Sequence, residues 1–524
     1  MAAMAAGSGR KVLSCEVGFP GSPGVPISLP SASRPFPTHV KHLSWREPCC
    51  TRDKHKLEGS GEPVSRAGRA RRSPERPVHI WRQRRAPGCA MWDPADGAPR
   101  VVGLACGSSH SVVLLQTGPS GSMVLSWGRG EDGQLGHGDA EDRQHPQAVF
   151  TLINRGITQV ACGAEYTVAV SGLEKQLYSW GWGDFGRLGT GDCRDVFIPY
   201  PLPAMAGKTV VSVACGDTHT LVATDTGELW SFGRNQNGQL GLGSIQDSLS
   251  PQLVAALQGK RVMRVACGAE HSCCVTDAGE VYCWGWGRYG NIGDGESQDR
   301  HLPTRAKGLE GVRVQQVACG WRHSIAVDDG GAMYTWGWGA YAQLMHGDRT
   351  DQYVPKRVEA LRNHRVALVA GGWRHTLAAD SEGRLFSAGW GKFGQCGVGS
   401  CEDVVTPRQV EALAGERVVL LESGWKHTLA VTASGKFYSW GRNVNGQLGN
   451  GGTQDTNLPV EVPALSYGSI NLDAFTKDAR PAVLYGVSPS DRYAVVPDSA
   501  PADVEMAGAP LPAGAVPDAN WQRM

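Results

Sequence analysis

Arg261-Val262-Met263-Arg264-Val265-Ala266-Cys267 alternates apolar and polar side chains and reads as a β-strand with one buried face. After Gly268, the run from His271 to Thr276 predicts a second strand. Asp277-Ala278-Gly279-Glu280 supplies the glycine of a tight hairpin turn, and Val281-Tyr282-Cys283-Trp284 predicts a third strand. A glycine-rich loop follows. Pro303 is then expected to open a fourth, outer strand, where a missing amide donor is tolerated.

The same unit recurs along the chain. Glycines at 107, 163, 216, 268, 320, 372 and 424 are spaced by 56, 53, 52, 52, 52 and 52 residues. The aromatic before a second glycine returns as Trp127, Trp180, Phe232, Trp284, Trp336 and Trp440, with Ala388 as the exception. A proline follows each time, at 146, 199, 251, 303, 355, 407 and 459. Seven units of four antiparallel strands predict an all-β, seven-bladed β-propeller over residues 99–465, an arrangement that leaves only short, protected edges.

Composition agrees with many short strands and tight turns, since 70 of the 524 residues are glycine. The net charge of +1 hides an asymmetry. Residues 1–90 hold 16 Lys and Arg against 6 Asp and Glu, which leaves the remainder net acidic, with 35 basic residues against 44 acidic. An acidic body has no positive field to draw it to phosphates, so non-specific DNA binding is not expected of it. No apolar run is long enough to span a membrane. Residues 1–98 are rich in Pro, Ser, Gly and Arg, with Arg69-Ala70-Arg71-Arg72 and Arg82-Gln83-Arg84-Arg85, and read as a disordered basic arm. An organelle transit peptide, a nuclear signal, or a true start at Met91 would each account for it. Residues 466–524, rich in Ala, Pro, Gly and Asp, read as a flexible tail.

No catalytic constellation emerges. The histidines His110, His219, His271, His323, His375 and His427 recur once per blade, as structural residues do, and are expected to bond backbone within their own blade. Five cysteines (Cys106, Cys162, Cys215, Cys267, Cys319) share one repeat position in Ala-Cys-Gly and read as small buried strand residues in a reduced, intracellular setting, with neither metal nor cofactor expected.

Three blades depart from the pattern together: Gly320-Trp321-Arg322-His323, Gly372-Trp373-Arg374-His375 and Gly424-Trp425-Lys426-His427. Their tryptophans are 52 residues apart, each followed by a cation, so three aromatic–cation pairs are expected side by side on one face. Core packing is the plain reading of a tryptophan, and it suits Trp127, Trp180, Trp284, Trp336 and Trp440. The four earlier blades do without Trp321, Trp373 and Trp425, which points to a role beyond packing. Indoles packed closely couple electronically and absorb further to the red. A guanidinium over the ring is a cation–π partner worth about 0.5–2 kcal/mol and can also grip a carboxylate. Excitation of such a ring can break the pairing of its cation.

The repeat pattern ACGxxH…WGxxxxGQLG resembles the regulator-of-chromosome-condensation family of seven-bladed propellers. Within it, Trp180-Gly181-Trp182-Gly183-Asp184-Phe185-Gly186-Arg187-Leu188-Gly189, the three Trp-cation motifs and Arg492-Tyr493-Ala494-Val495-Val496-Pro497-Asp498 resemble the plant and green-algal UV-B photoreceptors. The resemblance spans about residues 99–524 and implies a receptor whose tryptophans are the chromophore. It implies a dark homodimer, with Trp182 of one subunit approaching Trp321, Trp373 and Trp425 of the other, and Arg322 in the same interface. The family's cross-dimer ion pairs map onto Arg374 with Asp184 and Asp195, Arg234 with Glu270, and Lys426 with Asp132, each occurring twice by symmetry. Ala340 and Gln246 stand where the family has a further ion pair, and Lys426 where it has arginine, so a more salt-sensitive dimer is expected. The freed tail is implied to dock through Val516-Pro517, or secondly Val496-Pro497, on the WD40 propeller of an E3 ubiquitin ligase. A WD40 protein that restores the dimer, contact with chromatin or histones, and a location in cytoplasm and nucleus are implied too. Two rival readings are a guanine-nucleotide exchange factor and a plain interaction scaffold. The near-constant spacing leaves no room for the former's inserted wedge.

Overall fold

The structure is a computed structural model and describes residues 97–118 and 121–477. Seven four-stranded antiparallel sheets follow one another, each built from consecutive strands in simple meander order. They cover residues 100–148, 157–201, 210–253, 262–305, 314–357, 366–409 and 418–461, numbered here as blades 1 to 7. In blade 4 the strands are Val262–Cys267, His271–Thr276, Val281–Gly285 and Arg300–Arg305. The expected proline position therefore shifts: Pro303 lies inside the outer strand rather than at its start. An outermost strand has one free edge, and a residue with no N–H can face it.

Indoles cement the blades. Trp127, Trp180, Trp284, Trp336 and Trp440 are fully buried. Each donates its ring N–H to a main-chain carbonyl of the preceding blade, as Trp284 does to Gln239 at 2.9 Å and Trp127 does to Gln447 at 2.8 Å. The glycine closing the preceding loop must be glycine. Gly241 has φ +71°, and a Cβ there would stand 2.8 Å from Trp284 Nε1.

The histidines differ from expectation. Each Nε2 reaches a hydroxyl in the next blade, not backbone in its own. His219 meets Ser272 at 2.9 Å, His271 meets Ser324 at 3.0 Å and His323 meets Thr376 at 2.8 Å. His427 meets Ser111 at 2.9 Å and closes the circle onto blade 1. In blade 2 the phenol of Tyr166 takes the same place, donating to the His219 carbonyl at 2.6 Å. The first glycine of each repeat makes room for the ring, since a Cβ on Gly268 would lie 2.1 Å from His271 Cε1.

Closure also uses residues beyond the last blade. Ser466–Lys477, assigned from sequence to the flexible tail, are partly folded: Leu472–Thr476 forms a short helix capped by the Asn471 side chain. The helix lies against the outer strand of blade 1, Arg143–Ala148, and its Phe475 is buried in the core that blades 1 and 7 share with Trp127 and Phe437. Phe475→Ala is expected to lower stability by about 3 kcal/mol, as for other buried aromatic truncations. Thermal denaturation of the variant beside the parent checks this.

Among the described residues no helix is long and apolar enough to cross a membrane. The basic arm and both Val-Pro pairs, Val496-Pro497 and Val516-Pro517, lie outside the described residues.

Candidate functional site: an aromatic–cation face

A four-stranded meander puts its first-to-second and third-to-fourth connections at the same end. One face of the ring therefore collects two kinds of loop from every blade. The first kind carries Ser108-Ser109, Ala164-Glu165, Asp217-Thr218, Ala269-Glu270, Trp321-Arg322, Trp373-Arg374 and Trp425-Lys426 in blades 1 to 7. The second opens with Arg129, Trp182, Arg234, Trp286, Trp338, Trp390 and Arg442. Blades 5 to 7 thus present rings and cations, and blades 1 to 4 present most of the carboxylates.

The expected cluster exists. Trp321 and Trp373 have ring centroids 5.5 Å apart at 65°, and Trp373 stacks on Trp425 at 5.7 Å and 16°. The cluster is larger than sequence reading suggested. Trp338 lies 5.6 Å from Trp321, and Trp390 lies 5.4 Å from Trp373. Tyr341 links Trp338 to Trp390, and Tyr289 joins Trp286 to Trp338. The Trp-Gly-Trp-Gly spelling at 284, 336 and, as Ala-Gly-Trp-Gly, at 388 carried this signal, because its second tryptophan repeats every 52 residues.

Arg374 is the hub. Its guanidinium carbon stands 3.9 Å from the Trp373 ring centroid, 4.8 Å from Tyr341, 5.2 Å from Trp390 and 5.5 Å from both Trp321 and Trp338. It donates to the Tyr341 hydroxyl at 2.8 Å, while its Nε is buried without a partner. Arg322 lies 4.0 Å from Trp321 and 4.1 Å from Trp286, and Lys426 Nζ lies 4.8 Å from Trp373. Burial lowers the pKa of Arg374, and burial with the nearby Arg442 and Arg374 lowers that of Lys426. Among the described residues Arg374 and Lys426, held among rings and other cations, lack an anion, whereas Arg322 has Glu270 at 4.0 Å.

The acidic half has the opposite need. Burial raises the pKa of Asp132, although Arg129 sits 3.5 Å away. Glu165, 3.2 Å from Arg129, is raised by burial as well. Asp217 is pushed up to about 7, first by burial and then by Glu270.

Within the protomer the mapped ion pairs do not form. Among the described residues Arg374, Arg234 and Lys426 have no carboxylate within 4.0 Å. Arg234 instead covers the Phe185 ring at 4.6 Å, and the nearest cation to Glu270 is Arg322, at 4.0 Å. Asp195 accepts from the Gly183 N–H at 2.8 Å, and Asp184 is exposed in the adjoining turn. Trp182 does not join the cluster of its own protomer. It lies under the buried guanidinium of Arg187 at 3.8 Å, two nitrogens of which have no partner.

One further assembly of donor atoms is present, His271, Cys273 and Cys319, within 4.8 Å of one another between blades 4 and 5. It belongs to the blade interior, not to this face.

Comparison with known proteins fits this geometry. Residues 93–372 match the RCC1-like domain, and residues 382–431 and 434–470 match the regulator of chromosome condensation (RCC1) repeat. The chain is 49% identical over 410 residues to the Ultraviolet-B receptor UVR8 of Arabidopsis thaliana, covering 78% of this chain and 92% of that protein. It is 33% identical over 361 residues to the human E3 ubiquitin-protein ligase HERC2, covering 68% of this chain but only 7% of that protein. Among solved structures, human WBSCR16 is similar with a TM-score of 0.58 at 29% identity, covering 65% of this chain and 94% of its own. On repeat pattern, fold and match alike, the chain belongs to the RCC1-repeat family of seven-bladed propellers.

Proposed function

We propose that the protein is a UV-B receptor whose own tryptophans absorb the light and whose Trp-cation face joins two copies in the dark. The observation that carries this is the Arg374 guanidinium among five rings, coupled to the contiguous Trp321–Trp373–Trp425 run, with no carboxylate within 4.0 Å among the described residues of its own protomer. The similarity to UVR8, itself named an Ultraviolet-B receptor, supports the same reading.

The two halves of the face are complementary about a two-fold axis. Rotating one copy onto another brings carboxylates of blades 1 and 2 toward the cations of blades 6 and 7, and blade 3 of one copy toward blade 4 of the other, and each contact occurs twice. Arg374 then meets Asp184 and Asp195, Arg234 meets Glu270, and Lys426 meets Asp132, with Trp182 and Arg322 alongside. Excitation of the coupled indoles alters the field at Arg374 and loosens the carboxylates it holds. Charge pairs that share a partly desolvated network separate together. We read the protein as a receptor, not an enzyme. The monomer then signals through its tail, by Val516-Pro517 or Val496-Pro497, to a WD40-containing E3 ubiquitin ligase. A second WD40 protein that restores the dimer, chromatin contact, and residence in cytoplasm and nucleus complete the proposal.

The test is a sizing column run on purified protein before and after UV-B. A dimer that becomes monomer, with Trp373→Phe losing most of the response, is expected. A size indifferent to light, or an undiminished response in Trp373→Phe, overturns the proposal. With Ala340 and Gln246 in place of one ion pair, the dark dimer is also expected to dissociate as salt is raised toward 1 M, where the screening length falls to about 3 Å. Multi-angle light scattering across a salt series reads this out, and a dimer intact at the top of the series contradicts it.

A further inference from the structure

The seven blades serve as internal controls for one another. At the third position of the second strand they carry Val112, Val168, Leu221, Cys273, Ile325, Leu377 and Leu429. Directly opposite on the third strand stand Ser126, Ser179, Ser231, Cys283, Thr335, Ser387 and Ser439. Six blades therefore pair an aliphatic residue with a hydroxyl, and blade 4 pairs two cysteines.

In five of those six blades the hydroxyl has a task elsewhere. Ser126 donates to the Leu135 carbonyl at 2.7 Å, Ser179 to Leu188 at 2.7 Å, Ser231 to Leu240 at 2.8 Å and Ser439 to Leu448 at 2.8 Å. In blade 4 both changes occur together, and the Cys283 sulfur turns to Cys273 at 2.7 Å. Two unbonded sulfurs do not rest that close, and a disulfide at about 2.05 Å requires only a small further approach. Both thiols are buried, at 1% and 0% exposure. Cys319, whose sulfur lies within 4.8 Å of that of Cys273, lines the axial cavity, and the pair lies behind it. His271 is engaged with Ser324 as its counterparts are in other blades, which leaves it to the ring of inter-blade links instead of a metal.

We propose that Cys273 and Cys283 are a dithiol–disulfide couple, closed by peroxide and reopened by thiol reductants. The Cys273 sulfur, as thiolate, attacks one peroxide oxygen, the O–O bond breaks, and hydroxide leaves and takes up the thiol's proton as water. The Cys283 sulfur then attacks the resulting sulfenic sulfur, forming the S–S bond and releasing a second water. In all, two thiols and one hydrogen peroxide give one disulfide and two waters.

Full-length protein, reduced and desalted, is treated with one equivalent of hydrogen peroxide, alkylated under denaturing conditions and cleaved after glutamate. Cleavage at Glu270 and Glu280 separates the two cysteines. The expected result is a linked pair of fragments, two hydrogens lighter than their sum, which thiol reductant restores. Cys274, on the opposite face of the strand in a different core, remains alkylated, and Cys274→Ala leaves the link intact. Cys283→Ser and Cys273→Val restore the residues of the other blades, so both are expected to fold, and both abolish the link. Three results overturn the proposal: a Cys273–Cys319 link in the unmutated protein, over-oxidation of Cys273 with Cys283 still free, or tightly bound zinc that holds the thiols unreactive until it is chelated.

Discussion

An Arg374→Ala variant is expected to elute as a monomer in the dark and to show no further change of size under UV-B. Arg374 is the hub of the aromatic face, in contact with Trp373, Tyr341, Trp390, Trp321 and Trp338, and among the described residues of its own protomer it has no carboxylate within 4.0 Å. In the proposed dimer it serves Asp184 and Asp195 of the other copy, and symmetry repeats the contact. Truncating one partner of a desolvated charge pair costs about 2–5 kcal/mol, and twice that when both copies lose it, so the dimer weakens by at least about a thousandfold. Arg374→Lys distinguishes charge from geometry. It keeps the charge but loses the planar fork and the stacking, so a partly weakened dimer is expected. Sedimentation at several concentrations measures all three proteins. If Arg374→Ala dimerises as the parent does, the interface lies elsewhere on the propeller.

Why this site was partly legible beforehand, and partly not, follows from how a repeat protein encodes itself. Strand alternation and the 52-residue spacing are local, so the blades and their number could be read from one unit and a ruler. Trp321, Trp373 and Trp425 stood out because four other blades lack them. Trp286, Trp338 and Trp390 did not, because each follows a core tryptophan or its counterpart two residues earlier and shares its local spelling. Only the meander, which turns the chain back at the end of the third strand, sets them on the same face as the first three. The histidines misled for a related reason. A once-per-blade residue looks the same in sequence whether it bonds within the blade or to the next, and the inter-blade bonds appear only once the ring is closed. Phe475 was missed because a single aromatic after the last repeat, amid a composition that favours flexibility, has no period to mark it.

The histidine ring also makes the fold acid-labile, the second large effect expected. His110, His219, His323, His375 and His427 are fully buried, and burial holds each pKa down to about 3. In the unfolded chain each takes a proton near pH 6.5, so between about 6.5 and 3 unfolding takes up protons and stability falls as pH falls. Asp217 and Glu422 act in the opposite sense. Burial raises both to about 7, so they hold protons in the fold that the unfolded chain gives up above about pH 4. Counting these alone, two released against five taken up leaves a net uptake of about three protons. His137, held down to about 4, and His271, also lowered by burial, add to it. Stability therefore falls by roughly 4 kcal/mol per pH unit or more between about 6 and 4. A fold with the usual stability of about 5–15 kcal/mol is exhausted within a few units. Urea denaturation across this range is expected to show a midpoint dropping steeply with acid, and His323→Asn, which keeps a polar partner for Thr376, to flatten the slope by about one proton. A midpoint that stays level, or rises, as the pH falls toward 5 shows that the two buried carboxyls outweigh the histidines and removes the ring as the source of acid sensitivity.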